Sequence, residues 1–190
     1  QYSNPDAFEF LSDGVNQERV NDYLAQIGRA LCFSVDRKAI FCGYRDQATP
    51  EAKTAIRAHF YKTVNHLEPL INFLMVSIIT GDTGRPVNTG DVIVESSLLS
   101  AIENSAANTK LLEKLARGAL VNSKASEPRA MLKSVMNRLK EMGYFITIGH
   151  SDLKYRATGK WSALYDTMAF IKEHESAAFG EVGETQESLL

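Results

Sequence analysis

The sequence predicts a mainly α-helical chain with small β-hairpins, an α+β protein. Three observations carry that reading. Apolar residues recur at helical spacing along most of the chain. Two pairs of short β-type runs, Leu31 to Val35 with Ala39 to Tyr44 and Tyr144 to Ile148 with Leu153 to Thr158, are each joined by a polar turn. The composition, 190 residues with 44% hydrophobic and 23% charged, is that of a packed protein of one ordinary or two small domains, not of a disordered chain.

Taken in order, Asn16 to Arg29 is the first predicted helix, with Val20, Tyr23, Leu24 and Ile27 at helical spacing. A hairpin follows, turning at Asp36-Arg37-Lys38. Thr49-Pro50-Glu51 then opens a helix with an N-cap hydroxyl, a proline in the first turn and a carboxylate near the positive helix end. A pause is expected near Asn65, where Asn65-His66-Leu67-Glu68 has the form of a capping box and Pro69 fits a new first turn. The helix from there to Ile79 carries Leu67, Leu70, Ile71, Leu74 and Ile78 as an apolar face. Gly81 to Gly90 reads as a loop, and Gly-Asp-Thr-Gly-Arg-Pro lacks the Gly-Lys-Ser/Thr ending that would cradle a nucleotide phosphate. Val92 to Val94 fits a short strand, Glu95 or Ser96 starts a helix with Leu98, Leu99 and Ile102, and Asn108 to Leu120 is another helix.

Residues 128–160 have the clearest pattern. Pro128 opens a helix that runs to Met142 and stops at Gly143. Met131, Leu132, Val135, Met136, Leu139 and Met142 form one stripe, and Lys133, Asn137 and Lys140 share the opposite face. A strand, the turn Gly149-His150-Ser151-Asp152 and a returning strand follow, with Lys154 and Arg156 on one face. A helix followed by a basic hairpin is the recognition half of a winged-helix domain. The earlier helix and hairpin suggest a second such unit. The predicted organisation is therefore two tandem winged-helix domains: residues 1–66, an N-terminal unit incomplete at its start plus a linking helix; residues 67–174, the C-terminal unit; and residues 175–190, a mobile acidic tail. Trp161 to Ile171 is expected to be a last amphipathic helix.

The net charge of −2 conceals an uneven distribution. Residues 1–109 carry a net −4, residues 110–160 a net +7 and residues 161–190 a net −5. A basic third of this kind can meet phosphate, although most such runs are solvated helix faces. The longest apolar run, Leu70 to Ile79, is too short to cross a bilayer, and no signal peptide opens the chain. The sequence begins at Gln1 rather than Met, so residues ahead of it are expected. Cys32 and Cys42 are read as free thiols of a cytosolic protein. The histidines at 59, 66, 150 and 174 show no metal-ligand spacing, and no nucleophile with its base stands out. The expectation is a protein without catalytic residues, metal or cofactor.

Ser134-x-x-Asn137-Arg138-Leu139-x-x-x-Gly143, then Gly149-His150, then Lys154-x-Arg156-x-Thr158, resembles the C-terminal winged helix of the MukE family, the small subunits of bacterial MukBEF condensins. Thr109-Lys110-Leu111-Leu112 fits the same pattern, and the modest length suggests the MksE branch. The resemblance is specific over about 50 residues and keeps only the order of elements over residues 15–105, where Ala52 to Val64 looks like extra helix. It implies a non-enzymatic subunit that binds a kleisin (MukF or MksF), helps position the SMC ATPase heads and contributes to clamping double-stranded DNA. It further implies a homodimer or two copies per kleisin, and a cytoplasmic, nucleoid-associated role in chromosome organisation and segregation or plasmid defence. The DNA-facing residues carried over by position are Lys133, Asn137, Arg138, Lys140, His150, Lys154 and Arg156, joined by Lys160 at the end of the basic third. Trp161, Leu164, Tyr165 and Met168 are the residues assigned to the kleisin. Bland readings stand beside these: Arg138 pairing with Glu141 or a loop, His150 as a turn residue, and the Trp161 stripe closing the core. The alternative function is a winged-helix transcription regulator using the same helix and hairpin.

Overall fold

Among the described residues, eight helices and two small antiparallel sheets follow one another along the chain. The computed structural model describes residues 2–80, 84–149 and 153–187, with side chains up to Glu173 apart from Ile79 and Thr80. The elements are α1 (Pro5–Phe10), α2 (Gly14–Ala25), β1 (Arg29–Phe33), β2 (Ile40–Tyr44), α3 (Pro50–Asn65), α4 (Leu67–Thr80), β3 (Val92–Val94), α5 (Glu95–Glu103), α6 (Ala106–Arg117), α7 (Pro128–Glu141), β4 (Phe145–Thr147), β5 (Lys154–Ala157) and α8 (Lys160–Glu187).

Local chemistry sets most of the boundaries. Thr49 caps α3 by accepting from Ala52 N at 3.3 Å, with Pro50 in the first turn. The pause between α3 and α4 falls at His66. Gly143, at φ +79°, ends α7 in the left-handed conformation that glycine adopts at little cost. Two elements differ from expectation. Helix α2 stops at Ala25 rather than Arg29, because Gly28 turns the chain at φ +69° and Arg29 is already paired with Tyr44. The last helix, expected to end at Ile171 before a tail, runs on to Glu187. Residues 172–187 hold five glutamates and no proline, and their two glycines, Gly180 and Gly183, weaken a helix without breaking it. Helix α1 is unforeseen; Asn4 caps it through Ala7 N at 3.1 Å.

The second sheet has the order β3-β5-β4, all antiparallel. Arg156 lies between Val92 and Ile146, and Tyr155 between Ile93 and Thr147. Its inner face packs on α4 to α8, where Leu70, Phe73, Ile102, Leu112, Met131, Met136, Leu139, Phe145, Tyr155 and Trp161 are almost wholly buried. Phe145 is the centre of an aromatic cluster, 5.7 Å from both Phe73 and Trp161 and 6.3 Å from Tyr155.

The β1–β2 hairpin joins this body through its tip. Val35 N donates to Asp166 Oδ2 at 2.9 Å, and Ser162 Oγ donates to Asp36 Oδ2 at 2.7 Å. Ser162 also meets Thr89 Oγ1 at 2.7 Å, and Thr89 donates to the Thr158 carbonyl at 3.0 Å. Helix α3 lies against α8, with Phe60 edge-on to Phe170 at 6.2 Å. Among the described residues no helix is long and apolar enough to cross a membrane.

Candidate nucleic-acid interface

Helix α7 divides its residues by spacing. Met131, Leu132, Val135, Met136 and Leu139 enter the core, while Lys133 is exposed and Asn137 and Lys140 are half-buried along the outer side. Strand β5 divides its residues by alternation. Tyr155 and Ala157 point inward, Lys154 is exposed and Arg156 is half-buried on the outer face. The inward Tyr155 is fixed by its hydroxyl, which donates to the buried carboxylate of Glu95 at 3.0 Å. Arg156 is not bare: its guanidinium lies 5.1 Å from the ring centre of Tyr2. Tyr2 reaches that place because Gly90, at φ +97°, has no side chain; a Cβ there would stand 3.1 Å from the ring.

Two other basic residues expected at DNA are held internally. Arg138 donates from Nε to the Leu120 carbonyl at 3.0 Å and pairs with Glu141 at 3.2 Å, so part of its fork braces the loop after α6. Lys160 donates to the Met142 carbonyl at 2.5 Å and lies 4.9 Å from the Tyr144 ring centre, closing the C-terminal end of α7. Burial, then the charge of Lys62, lowers the Lys160 pKa. His150 lies outside the described residues. Within the basic third, Lys114 is paired with Glu68 at 2.8 Å, both side chains being exposed.

The stripe assigned to a kleisin is corrected at two positions. Trp161 and Leu164 are buried in the core and present no surface, because the start of α8 must cover the aromatic cluster. Tyr165 and Met168 sit half-buried at the edge of that core. The Tyr165 hydroxyl donates to the Val87 carbonyl at 2.5 Å, and its pKa is pushed up to about 12 by burial and by the nearby charge of Asp91.

The fold also brings in two groups that the charge distribution along the sequence conceals. Lys62 and His66 belong to the acidic first part of the chain, yet His66 feels the charges of Arg138 and Lys160 from the basic third. The His66 pKa is lowered by burial and then by the charges of Arg138, Lys62 and Lys160.

Elsewhere, Cys32 is half-buried and Cys42 exposed, both free. Leu31 is opposite Cys42 and Cys32 opposite Phe41, so the thiols lie on opposite faces of the hairpin. An open cleft of about 480 Å³ is lined by Ile27, Gly28, Tyr44, Arg45, Asp46 and Thr49. Among the described residues no three His, Cys, Asp or Glu side chains converge as metal ligands do. Compared with protein-family models, with curated proteins and with solved structures, the chain gives no match.

Proposed function

We propose that this chain is a non-enzymatic accessory subunit of a bacterial condensin-like SMC complex, of the MukE/MksE type. In this reading residues 67–174 are a winged helix, residues 1–66 the companion unit before it, and the basic side of the C-terminal unit meets DNA phosphates. The observation that carries it is the combination of the outward Lys133, Asn137 and Lys140 on α7 with the outward Lys154 and Arg156 on β5, in a sheet of order β3-β5-β4. Such side chains neutralise a backbone and position a protein without reading bases. ATP hydrolysis belongs to the SMC partner and ring closure to the kleisin, which docks beside the exposed parts of Tyr165 and Met168. The complex contains two copies of this chain per kleisin and acts on the nucleoid in the cytoplasm, in chromosome organisation and segregation or in plasmid defence.

The test is DNA binding by the chain alone and by its complex with kleisin and ATPase. Contacts by Lys133, Lys140, Lys154 and Arg156 give a log–log salt slope on the order of −3 to −4, at roughly −0.9 for each phosphate. Lys154→Glu with Arg156→Glu is expected to weaken binding about equally on every sequence. Loss confined to one sequence favours a transcription regulator. Unchanged affinity and slope remove the DNA assignment.

A further inference from the structure

We propose that the open edge of β2 pairs with the same edge of a second copy of this chain, joining two β1–β2 hairpins into one four-stranded antiparallel sheet. The inference does not rest on the DNA reading above. It states how two copies meet, with or without DNA or a kleisin.

The edge follows from the hydrogen-bond ladder. Ser34 N donates to the Ala39 carbonyl and Arg45 N to the Gly28 carbonyl, both at 3.0 Å, just beyond each end of the hairpin. These bonds fix the phase of the alternation. Phe41 and Gly43 therefore turn their N–H and C=O groups inward to Cys32 and Ala30, and Ile40, Cys42 and Tyr44 turn theirs outward. The other edge of the hairpin is engaged: α2 packs against β1, and the Asn21 side chain accepts from Leu31 N at 2.8 Å. Among the described residues no hydrogen-bond partner meets the outward groups of Ile40, Cys42 and Tyr44, and β1 is the element packed along β2. Natural edge strands are usually blunted by a charge, a proline or a bulge. Ile40-Phe41-Cys42-Gly43-Tyr44 has no charge or proline, its pairing with β1 is regular, and Phe41 and Cys42 are exposed.

The register identifies the occupant. Antiparallel pairing about a two-fold axis at Cys42 engages all five residues of β2 in both copies. It sets Ile40 opposite Tyr44 of the second copy, a β-branched side chain against an aromatic one. The Tyr44 ring is already braced by the Arg29 guanidinium, 3.6 Å from its centre. Phe41 falls opposite Gly43 of the second copy, and an aromatic ring is what covers a glycine across a sheet. That glycine is kept bare by its own hairpin, since a Cβ there would stand 2.5 Å from Cys32 Sγ. Two residues beyond, the same register brings Lys38 opposite Asp46, once on each side of the axis, a cross-strand pair of opposite charge. Shape and charge thus match this edge to itself, which singles out a second copy among possible strands. The contact is short, so the dimer belongs at the weak, about micromolar end of association.

The experiment follows sedimentation of the full chain from about 1 to 100 μM, with amide hydrogen exchange at both ends of that range. A concentration-dependent dimer is expected. Exchange at Ile40, Cys42 and Tyr44 should slow as the dimer forms, while Phe41 and Gly43, already bonded to β1, change less. Cys42→Lys sets two ammonium groups face to face across the axis and is expected to weaken association at least tenfold. Cys42 is exposed, so the circular dichroism and melting temperature of that variant should match the unaltered protein. In Cys32→Ser, where Cys42 is the remaining thiol, a short bismaleimide should link the two copies, because residues so paired stand about 5.5 Å apart at Cα. A monomer throughout the range overturns the proposal. So does a dimer that leaves exchange at the three amides unchanged, or one that Cys42→Lys leaves at full strength. Slower exchange that appears only when a kleisin is added assigns the edge to a partner's strand and likewise overturns self-pairing. None of these results alters the DNA contacts of α7 and β5, which the salt series tests separately.

Discussion

Before residue 67 the buried hydrophobic side chains are Ala39 and Ala52; from Leu70 to Leu164 the buried set includes five aromatic side chains and a dozen Leu, Ile and Val side chains of the core. Both regions are made of helices and an antiparallel hairpin. In the first, α2 buries nothing fully, and Tyr23 and Ile27 are 65% and 59% exposed. In the second, a third strand completes the sheet and helices α4 to α8 cover one of its faces. A two-stranded hairpin is marginal by itself, and a third strand with a covered face is what lets a small sheet stand alone. The first region keeps its place through the hydroxyl and carboxylate contacts of its hairpin tip and the Phe60–Phe170 contact, not through a core of its own. The C-terminal region therefore carries the stability, and the N-terminal region is the part that can be displaced.

Core truncation gives the largest test of that contrast. Phe145→Ala is expected to destabilise the protein by about 3–5 kcal/mol, as for a wholly buried ring. Tyr23→Ala, on the exposed side of α2, is expected to cost less than about 0.5 kcal/mol. Urea denaturation monitored by Trp161 fluorescence measures both, and equal costs would break the comparison.

Ser162→Ala is the intermediate case. It removes the hydroxyl that joins Asp36 to Thr89 in a buried place. The expected cost is about 1–3 kcal/mol. Amides of residues 31–44 should exchange faster while those of 131–139 keep their protection. Faster exchange in both segments would mean that the two regions unfold together.

Acid should loosen the same junction with a smaller effect. Burial raises the Asp36 pKa, but hydrogen bonds from Ser34, Ser162 and the Lys38 backbone, with the Lys38 charge, outweigh it and hold the carboxyl below its ordinary value. Asp91 is likewise held down, by Arg85 and Asn88 against burial. A carboxyl depressed in the folded state contributes stability that is present above its unfolded pKa of about 3.9 and is lost as pH falls through the folded value. Docking of the hairpin should thus be flat from about pH 5 to 8 and weaken below about pH 4. Chemical shifts of Val35 and Ala39 followed against pH test this, and Asp36→Asn should remove the Asp36 part of the transition. An unchanged transition in that variant assigns the effect elsewhere.

Much of the candidate interface was legible because its signals are local. The α7 stripe follows from helical spacing, and the outward Lys154 and Arg156 follow from strand alternation, so each residue's side was readable from its neighbours. Arg138 was legible as an alternative, since Glu141 lies three residues on. Lys160 was not, because its acceptor is the Met142 carbonyl across a whole hairpin. The Trp161 stripe was recognised as amphipathic, but amphipathicity does not say whether a face meets the protein's own core or a partner. Here its centre meets Phe73 and Phe145.

The sequence by itself determined where most helices and strands lie, which residues of α7 and β5 face out, and that positive charge gathers in residues 110–160. These follow from period, caps and composition, which act over a few residues. Only the tertiary structure decided that the hairpin tip bonds α8, that Tyr2 covers Arg156, and that His66 feels the charges of Arg138 and Lys160. Those contacts join groups far apart along the chain, and their energies depend on which burial of the core brings helix ends together, a property no local stretch of residues contains.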